Sequence, residues 1–206
     1  MRTERPRLLI ASNNRGKLVE FRALLPPTLE LLTLADVGLD SPEETGTTFA
    51  ANALLKAEHA ARLIGITTIA DDSGLEVDAL GGEPGVYSAR YAGEPSDDEA
   101  NRIKLLEALA HVPMVQRTAR FQCAVAIVTA SGEAVLSNGS CEGSIGLQPR
   151  GTNGFGYDPL LVLSNGRTMA ELSADEKNLI SHRSHAYRAA LPSLRRMLGL
   201  IEDAET

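Results

Sequence analysis

The run Arg7-Leu8-Leu9-Ile10-Ala11 passes through a single polar turn, Ser12-Asn13-Asn14-Arg15-Gly16, straight into a helical pattern. Arg7 to Ala11 has the length of a buried strand and is too short for a helix of its own. From Lys17 to Leu25, the residues Leu18, Phe21, Leu24 and Leu25 fall on one helical face, and Pro26-Pro27 stops the helix. A strand feeding a helix through so short a turn commits the chain to an α/β arrangement. The same punctuation recurs downstream. Thr47 or Thr48 can cap a helix ending at Ile64 before Gly65, with Asn52, Lys56 and His59 on one polar face. Ile66 to Ala70 reads as a strand, Asp71-Asp72-Ser73-Gly74 as a turn that breaks it, and Leu75 to Leu80 as its resumption. Ser96 with Glu99 forms a capping-box pattern for a helix to about Ala110. Phe121–Thr129 and Ala134–Ser140 flank a hairpin turn, Gly151 to Gly156 leads into a strand over Pro159–Leu163, and Ser173 with Glu176 opens a helical C-terminus that Pro192 should bend or break. The expected fold is a mixed, twisted sheet with flanking helices.

Composition narrows the function classes. At 206 residues one domain is the default, and a two-lobed domain fits as well. The net charge of −7 argues against a nucleic-acid polymer as partner, because such binding needs excess Lys and Arg. With no Trp, four Phe and four Tyr, an aromatic platform for single strands is not expected either. Two cysteines, Cys123 and Cys141, are too few for a disulfide scaffold or a structural zinc site and read as reduced core thiols. The apolar run after the basic N-terminus is too short for a signal-peptide core, and no apolar run is long enough to span a membrane. A cytoplasmic protein is expected.

The charge is unevenly spread. Residues 36–100 carry fourteen acidic against three basic side chains, whereas residues 1–35 and 150–198 are each net basic. Carboxylates that hold a cation, between segments that grip an anion, would give this pattern; so would two solvated faces. Within it, four places carry chemistry. The start of the first helix presents unpaired N–H groups suited to phosphate, with Gly16 permitting close approach and Lys17 adding charge. It lacks the Walker A pattern, since Leu18 follows Lys17 where Ser or Thr is needed. Asp71 and Asp72 are strand neighbours, so their side chains point to opposite faces and only one readily faces a given cleft. Glu43-Glu44 lies in a polar loop before a helix, and one or two such carboxylates plus substrate phosphates commonly hold Mg²⁺. Gly154-Phe155-Gly156-Tyr157-Asp158 sets an aromatic between two glycines, where a flat ligand could stack. Lys177 and Arg183 are cationic donors suited to phosphate or to a base's keto oxygen; a solvated basic face is the plainer alternative.

Taken in order, these segments resemble the inosine triphosphate pyrophosphatase family, enzymes that hydrolyse noncanonical purine nucleoside triphosphates. The likeness runs from about Leu8 to Arg188 through Ser12–Lys17, Glu43-Glu44-Thr45-Gly46, Phe49 with Asn52-Ala53 and Lys56-Ala57, Ala70–Leu75, Gly85–Tyr91, Phe155–Asp158 and Ser181-His182-Arg183. Each motif alone is weak, but their ordered set is very specific. The resemblance implies a single two-lobed domain over residues 1–206, with the lobes around a central cleft, and a homodimer. It makes Ser12, Asn13, Asn14, Arg15, Gly16 and Lys17 the triphosphate cradle. Glu43 and Asp72 become Mg²⁺ ligands, with Asp72 also the proton acceptor for the attacking water and Ser73 a substrate contact beside it. Phe155, Gly156, Tyr157, Asp158, Lys177, His182 and Arg183 resemble the part that holds the base. Ala51 departs from the family pattern, in which a carboxylate is common beside the Asn. The implied reaction is hydrolysis of ITP, dITP or XTP to the monophosphate and pyrophosphate, cleansing the nucleotide pool. Two rivals are a related pyrophosphatase that prefers modified pyrimidines and a nucleotide sensor without turnover.

Overall fold

The computed structural model describes residues 5–200. Six strands form one mixed sheet in the order β2-β1-β3-β4-β5-β6: β1 (Arg7–Ile10), β2 (Glu30–Thr33), β3 (Thr68–Val77), β4 (Thr118–Val128), β5 (Ala134–Ile145) and β6 (Leu161–Val162). β1 lies parallel to β2 and to β3, with Leu9 opposite both Leu32 and Thr68, whereas β5 and β6 run antiparallel. The helices are α1 (Arg15–Leu24), α2 (Phe49–Ile64), α3 (Asp98–Ala108), α4 (Ala174–Ile180) and α5 (His182–Met197). The expected mixed α/β class is what folds. Among the described residues no helix is long and apolar enough to cross a membrane.

Chain contacts separate two compact units, one holding residues up to Asp72 with Ala124–Gly139 and Arg183 onward, the other Ser73–Cys123 with Ser140–His182. In the first, Ala53, Ala57, Ala60 and Ala61 recur at helical spacing along α2 and are buried against Leu9, Ala11, Ala70, Ala124, Ala126 and Val128. The four buried alanines leave little side-chain bulk on this face of the helix, with Phe49, Leu54 and Ile64 packed at its margins. Asn52 and Lys56, one helical turn apart, are carried inward with that stripe and become buried. Of the polar face expected on α2, close packing buries Asn52 and Lys56, and His59 alone stays half-buried. The second unit's core gathers Leu75, Val77, Leu105, Leu109, Phe121, Ile145, Leu160, Leu161, Met169 and Leu172.

Several local expectations hold. Thr48 caps α2 through its side chain to Ala51 N, and Gly65 ends it at φ 71°. Ser173 and Glu176 complete the capping box of α4. Others are corrected. Asp71–Gly74 is no turn: β3 runs unbroken through it, because the buried carboxylates find cations and amides. The cap of α3 is Asp97, which accepts from Glu99 N and Ala100 N, while Ser96 donates its hydroxyl to Ala89 O. Of the two outcomes expected at Pro192, the break does not occur: α5 runs on past it to Met197. Pro192 is exposed, while Ala186, Tyr187, Ala190 and Leu194 are buried. β6 is only two residues long, and the strand β2 carries no sequence signal beyond four residues after a proline pair.

Candidate active site

The first unit concentrates charge at the middle of β3. Alternation along the strand gives its two aspartates different partners. Asp71 is fully buried and accepts at Oδ2 from Arg183 Nε at 3.0 Å and Nη2 at 2.9 Å, with Lys17 Nζ 3.2 Å away. Arg183, itself fully buried, also pairs with Glu20, which lies three residues after Lys17 on α1. Burial alone would raise the Asp71 carboxyl, but the charges of Arg183, Lys17 and Lys56 outweigh it and hold the group far below the usual range.

Asp72 faces the other way. Asn52 Nδ2 donates to its Oδ2 at 2.9 Å, and Lys56 Nζ stands 3.7 Å from its Oδ1. Lys56 also donates to Glu44 Oε1 at 2.6 Å. Burial pushes the Asp72 carboxyl up; Lys56 and Lys17 pull it back in part, and Glu44 adds to the rise. Lys56 stays firmly protonated, since Asp72, Asp71 and Glu44 together overcome its own desolvation. Gly46 belongs to this cluster too. Its N–H donates to Asn52 Oδ1 at 2.7 Å, and a Cβ there would come within 2.5 Å of that same oxygen.

At the start of α1, Asn14 Oδ1 accepts from Lys17 N at 3.1 Å, and Ser12 Oγ accepts from Asn14 N at 3.2 Å. The helix thus begins at Arg15, two residues before the expected Lys17. First-turn N–H groups, here those of Arg15 and Gly16, have no intrahelical acceptor and suit an anion.

The second unit holds a sparser cluster. Lys177 Nζ donates to Asp158 Oδ2 at 2.6 Å and lies 5.0 Å from the centre of the Phe155 ring. The same Asp158 oxygen accepts from Phe155 N at 2.9 Å. This closure requires Gly154, where φ is 77° and a Cβ would fall 1.9 Å from Asp158 Oδ2. Tyr157 is buried and donates its hydroxyl to Ser88 O at 2.9 Å. His182 is buried too, stacked on Phe121 with ring centres 4.9 Å apart.

The sequence-predicted residues therefore divide. Lys17 and Arg183 meet at Asp71. Phe155, Asp158 and Lys177 come together as a second group. Of the adjacent glutamates, Glu44 is the one held at Lys56. Glu43 is exposed and, with Ala51, Leu54, Leu55 and Glu58, lines a groove of about 890 Å³. Asn52, Lys56 and Glu20 do not stand out as site residues in the sequence. Asn52 and Lys56 left a trace, a polar pair at helical spacing beside an alanine stripe; Glu20 left none.

Among the described residues no three His, Cys, Asp or Glu side chains converge as a metal cage. A hard divalent cation needs no such cage when substrate phosphates complete its shell. Asp72 and Glu43 both offer the hard carboxylate oxygens that such an ion takes, whereas Glu44 is already held at Lys56.

The sequence model of the Ham1 family matches residues 8–193, nearly the whole chain. This chain belongs to the Ham1 family. Its likeness to individual Ham1 relatives is close. It is 50% identical over 200 residues to the dITP/XTP pyrophosphatase of Bacillus licheniformis, covering 96% of this chain and 98% of that one. The Ham1 protein of Staphylococcus aureus superposes with a TM-score of 0.82 at 43% identity, covering 92% of this chain and 98% of the other. A HAM1 protein from Coxiella burnetii gives 0.84 at 40% identity, covering 93% and 99%.

Proposed function

We propose that the chain hydrolyses noncanonical purine nucleoside triphosphates, ITP, dITP and XTP, to the monophosphate and pyrophosphate. The observation that carries the reading is Asp72: a buried carboxylate fixed by Asn52 and flanked by Lys56, beside a helix start that suits phosphate in sequence and in local geometry. The Bacillus licheniformis relative is named for dITP and XTP, which supports the same substrate class.

In this reading Ser12 to Lys17 cradle the triphosphate. The N–H groups of Arg15 and Gly16 meet phosphate oxygens, and the Lys17 and Lys56 ammonium groups neutralise their charge. Asp72 accepts the proton of the attacking water. Burial raises its proton affinity toward what a general base requires, and Asn52 holds Oδ2 so that Oδ1 receives the proton. Asp72 with Glu43 would hold Mg²⁺, and Ser73 would touch substrate beside them. When bound, that ion supplies Lewis-acid polarisation of the phosphoryl group. Water attack at the α-phosphorus breaks the α–β bond and releases pyrophosphate.

Phe155 supplies a stacking face for the base, with Gly156, Tyr157, Asp158 and His182 shaping the surroundings. Lys177 donates to the keto oxygen at position 6 of hypoxanthine or xanthine; Arg183, the other donor expected for the base, is fully buried against Asp71 and Glu20. Adenine presents an amino donor at that position in place of an acceptor, so donor would meet donor and the substrate is disfavoured. The reading carries with it a single two-lobed domain, a homodimer and a cytoplasmic, pool-cleansing role, all resting on the family resemblance. The test is a product assay on ITP, XTP, dITP, ATP, GTP and dUTP with Mg²⁺, separating pyrophosphate from orthophosphate. Pyrophosphate from ITP and XTP is expected. Orthophosphate as the sole product, or equal rates on ATP and ITP, would sink the reading.

A further inference from the structure

Helix α3 has no part in the chemistry above, yet it holds the loop that presents Phe155. Asp97 already caps the helix, accepting from Glu99 N at 2.8 Å and Ala100 N at 3.1 Å. Asp98 is thereby released from capping, and its Oδ2 accepts from Gly156 N at 2.7 Å. One turn on, Arg102 Nη1 donates to Gly156 O at 2.8 Å. Residues four apart share a helix face, so one face of α3 grips both polar atoms of the same residue. The N–H lies in the peptide joining Phe155 to Gly156, and the carbonyl lies in the peptide joining Gly156 to Tyr157. Both peptide planes around Gly156 are therefore fixed by charged partners.

The position matters because Gly156 has φ 58° and open space where a Cβ would be. Without a side chain it is the point at which the loop swings most freely. On one side of it the Phe155 N–H is held by Asp158; on the other the Tyr157 hydroxyl is held by Ser88 O. Asp158 N also donates to Phe155 O at 3.2 Å, in the first of the two peptide planes, and the N–H and carbonyl of Gly156 itself are held by Asp98 and Arg102. The same helix also secures the neighbouring loop: Asn101 Oδ1 accepts from Ala92 N at 2.6 Å, and its Nδ2 donates to Ala89 O at 3.0 Å.

We propose that Asp98 and Arg102 are positioning residues for base selection, locking the Gly156 peptides so that the Phe155 ring stays seated beside Lys177. This rests on the reading that Phe155 and Lys177 receive the base. Neither residue touches substrate; they act through the backbone of the loop. Charge-assisted hydrogen bonds to backbone are the stronger kind, which makes the pair a stiff clamp.

The test compares Arg102→Met, Asp98→Ala and Arg102→Lys with Phe155→Ala in the full-length enzyme. The readouts are KM and kcat for ITP and ATP, and the inhibition constant of pyrophosphate. For Arg102→Met and Asp98→Ala, KM for ITP should rise about tenfold, the loss expected for one charge-assisted hydrogen bond. The preference for ITP over ATP should shrink by a similar factor, while kcat and pyrophosphate inhibition hold within about twofold. Arg102→Lys, which keeps a cationic donor, should recover part of the loss. Unchanged KM and preference in both variants would overturn the proposal. So would a parallel weakening of pyrophosphate inhibition, which would mark general damage. Phe155→Ala separates the two levels of the argument. If it raises KM and the α3 variants do not, the clamp alone fails; if it leaves KM unmoved, the base reading fails and takes the clamp with it.

Discussion

The two charged clusters of this chain are built on opposite plans. In the first unit, neighbouring aspartates on one strand meet three cations and two further carboxylates, almost all buried or half-buried. In the second, one aspartate meets one lysine, and an aromatic ring lies beside the pair. A triphosphate carries dense charge and must be met by dense charge of both signs, cations for its oxygens and carboxylates for an accompanying metal ion. A purine base is neutral and flat, needing a face and a single well-placed donor. In the proposed reading the contrast between the clusters answers to the contrast between phosphate and base, and that reading can be broken at either cluster.

The largest effect is expected at Asp72. Asp72→Asn keeps the shape and can still hydrogen-bond Asn52, but it removes the proton acceptor. Loss of a general base lowers turnover by about a thousandfold. Nucleotide binding, read by calorimetry with ITP, should survive in part. Full turnover in this variant would transfer the base role to another group and dissolve the distinction between Asp72 and Asp71.

Next comes Asp71→Asn, whose effect should fall on stability. Removing one member of a buried ion pair leaves Arg183 fully buried beside a neutral amide, which costs about 3–5 kcal/mol. The pH dependence has a definite sign. Because the folded-state carboxyl is held below its unfolded value of about 4, its contribution is complete above that value and is lost progressively as pH falls beneath it. Urea melts at pH 7 and at pH 3 should therefore show wild type losing more stability on acidification than the Asn variant. An equal loss in both would mean that the Asp71–Arg183 pair contributes nothing to the difference.

These two aspartates also show how far the sequence could be read. Alternation along a strand correctly gave them different partners. The polar content of Asp-Asp-Ser-Gly, however, argued for a turn, and only the cations on α1, α2 and α5 make an unbroken buried strand tolerable there. Those cations come from elements far apart in sequence. Arg183 lies 112 residues from Asp71, and no local periodicity encodes that meeting. Caps were legible, because Thr48, Ser173 and their helices are neighbours in the chain. The grip of α3 on Gly156 was not, since it joins residues more than fifty positions apart. Local rules recovered what is local; the charge compensation that shapes both clusters is not.

A smaller effect is expected at Lys177. Lys177→Met keeps the aliphatic stem but removes the donor to Asp158 and, in the proposed reading, to the base. Discrimination between ITP and ATP should fall by about tenfold to a hundredfold, the range for losing a hydrogen bond to a charged group. Turnover at saturation should change much less. A kcat deficit at unchanged discrimination would place Lys177 with the phosphate chemistry and erase the division of labour between the clusters.

The smallest effects separate the adjacent glutamates, and they sharpen the metal assignment. Glu44 already neutralises Lys56, and at a partly exposed pair that contact is worth about 1 kcal/mol or less. Glu44→Gln should therefore lower stability slightly and shift the balance at Asp72, whose proton affinity Glu44 helps to raise. Glu43 is exposed and sits at a groove that it shares with α2 and with the turn after β4. If it is the Mg²⁺ ligand, Glu43→Gln should leave thermal stability unchanged while raising the Mg²⁺ concentration for half-maximal activity by about tenfold, since an open site keeps its other ligands and waters. Titrating activity against Mg²⁺ in both variants decides the matter. A larger shift in Glu44→Gln than in Glu43→Gln would reassign the ion to the glutamate beside Lys56, and would make that lysine a resident cation that Mg²⁺ displaces from its carboxylates.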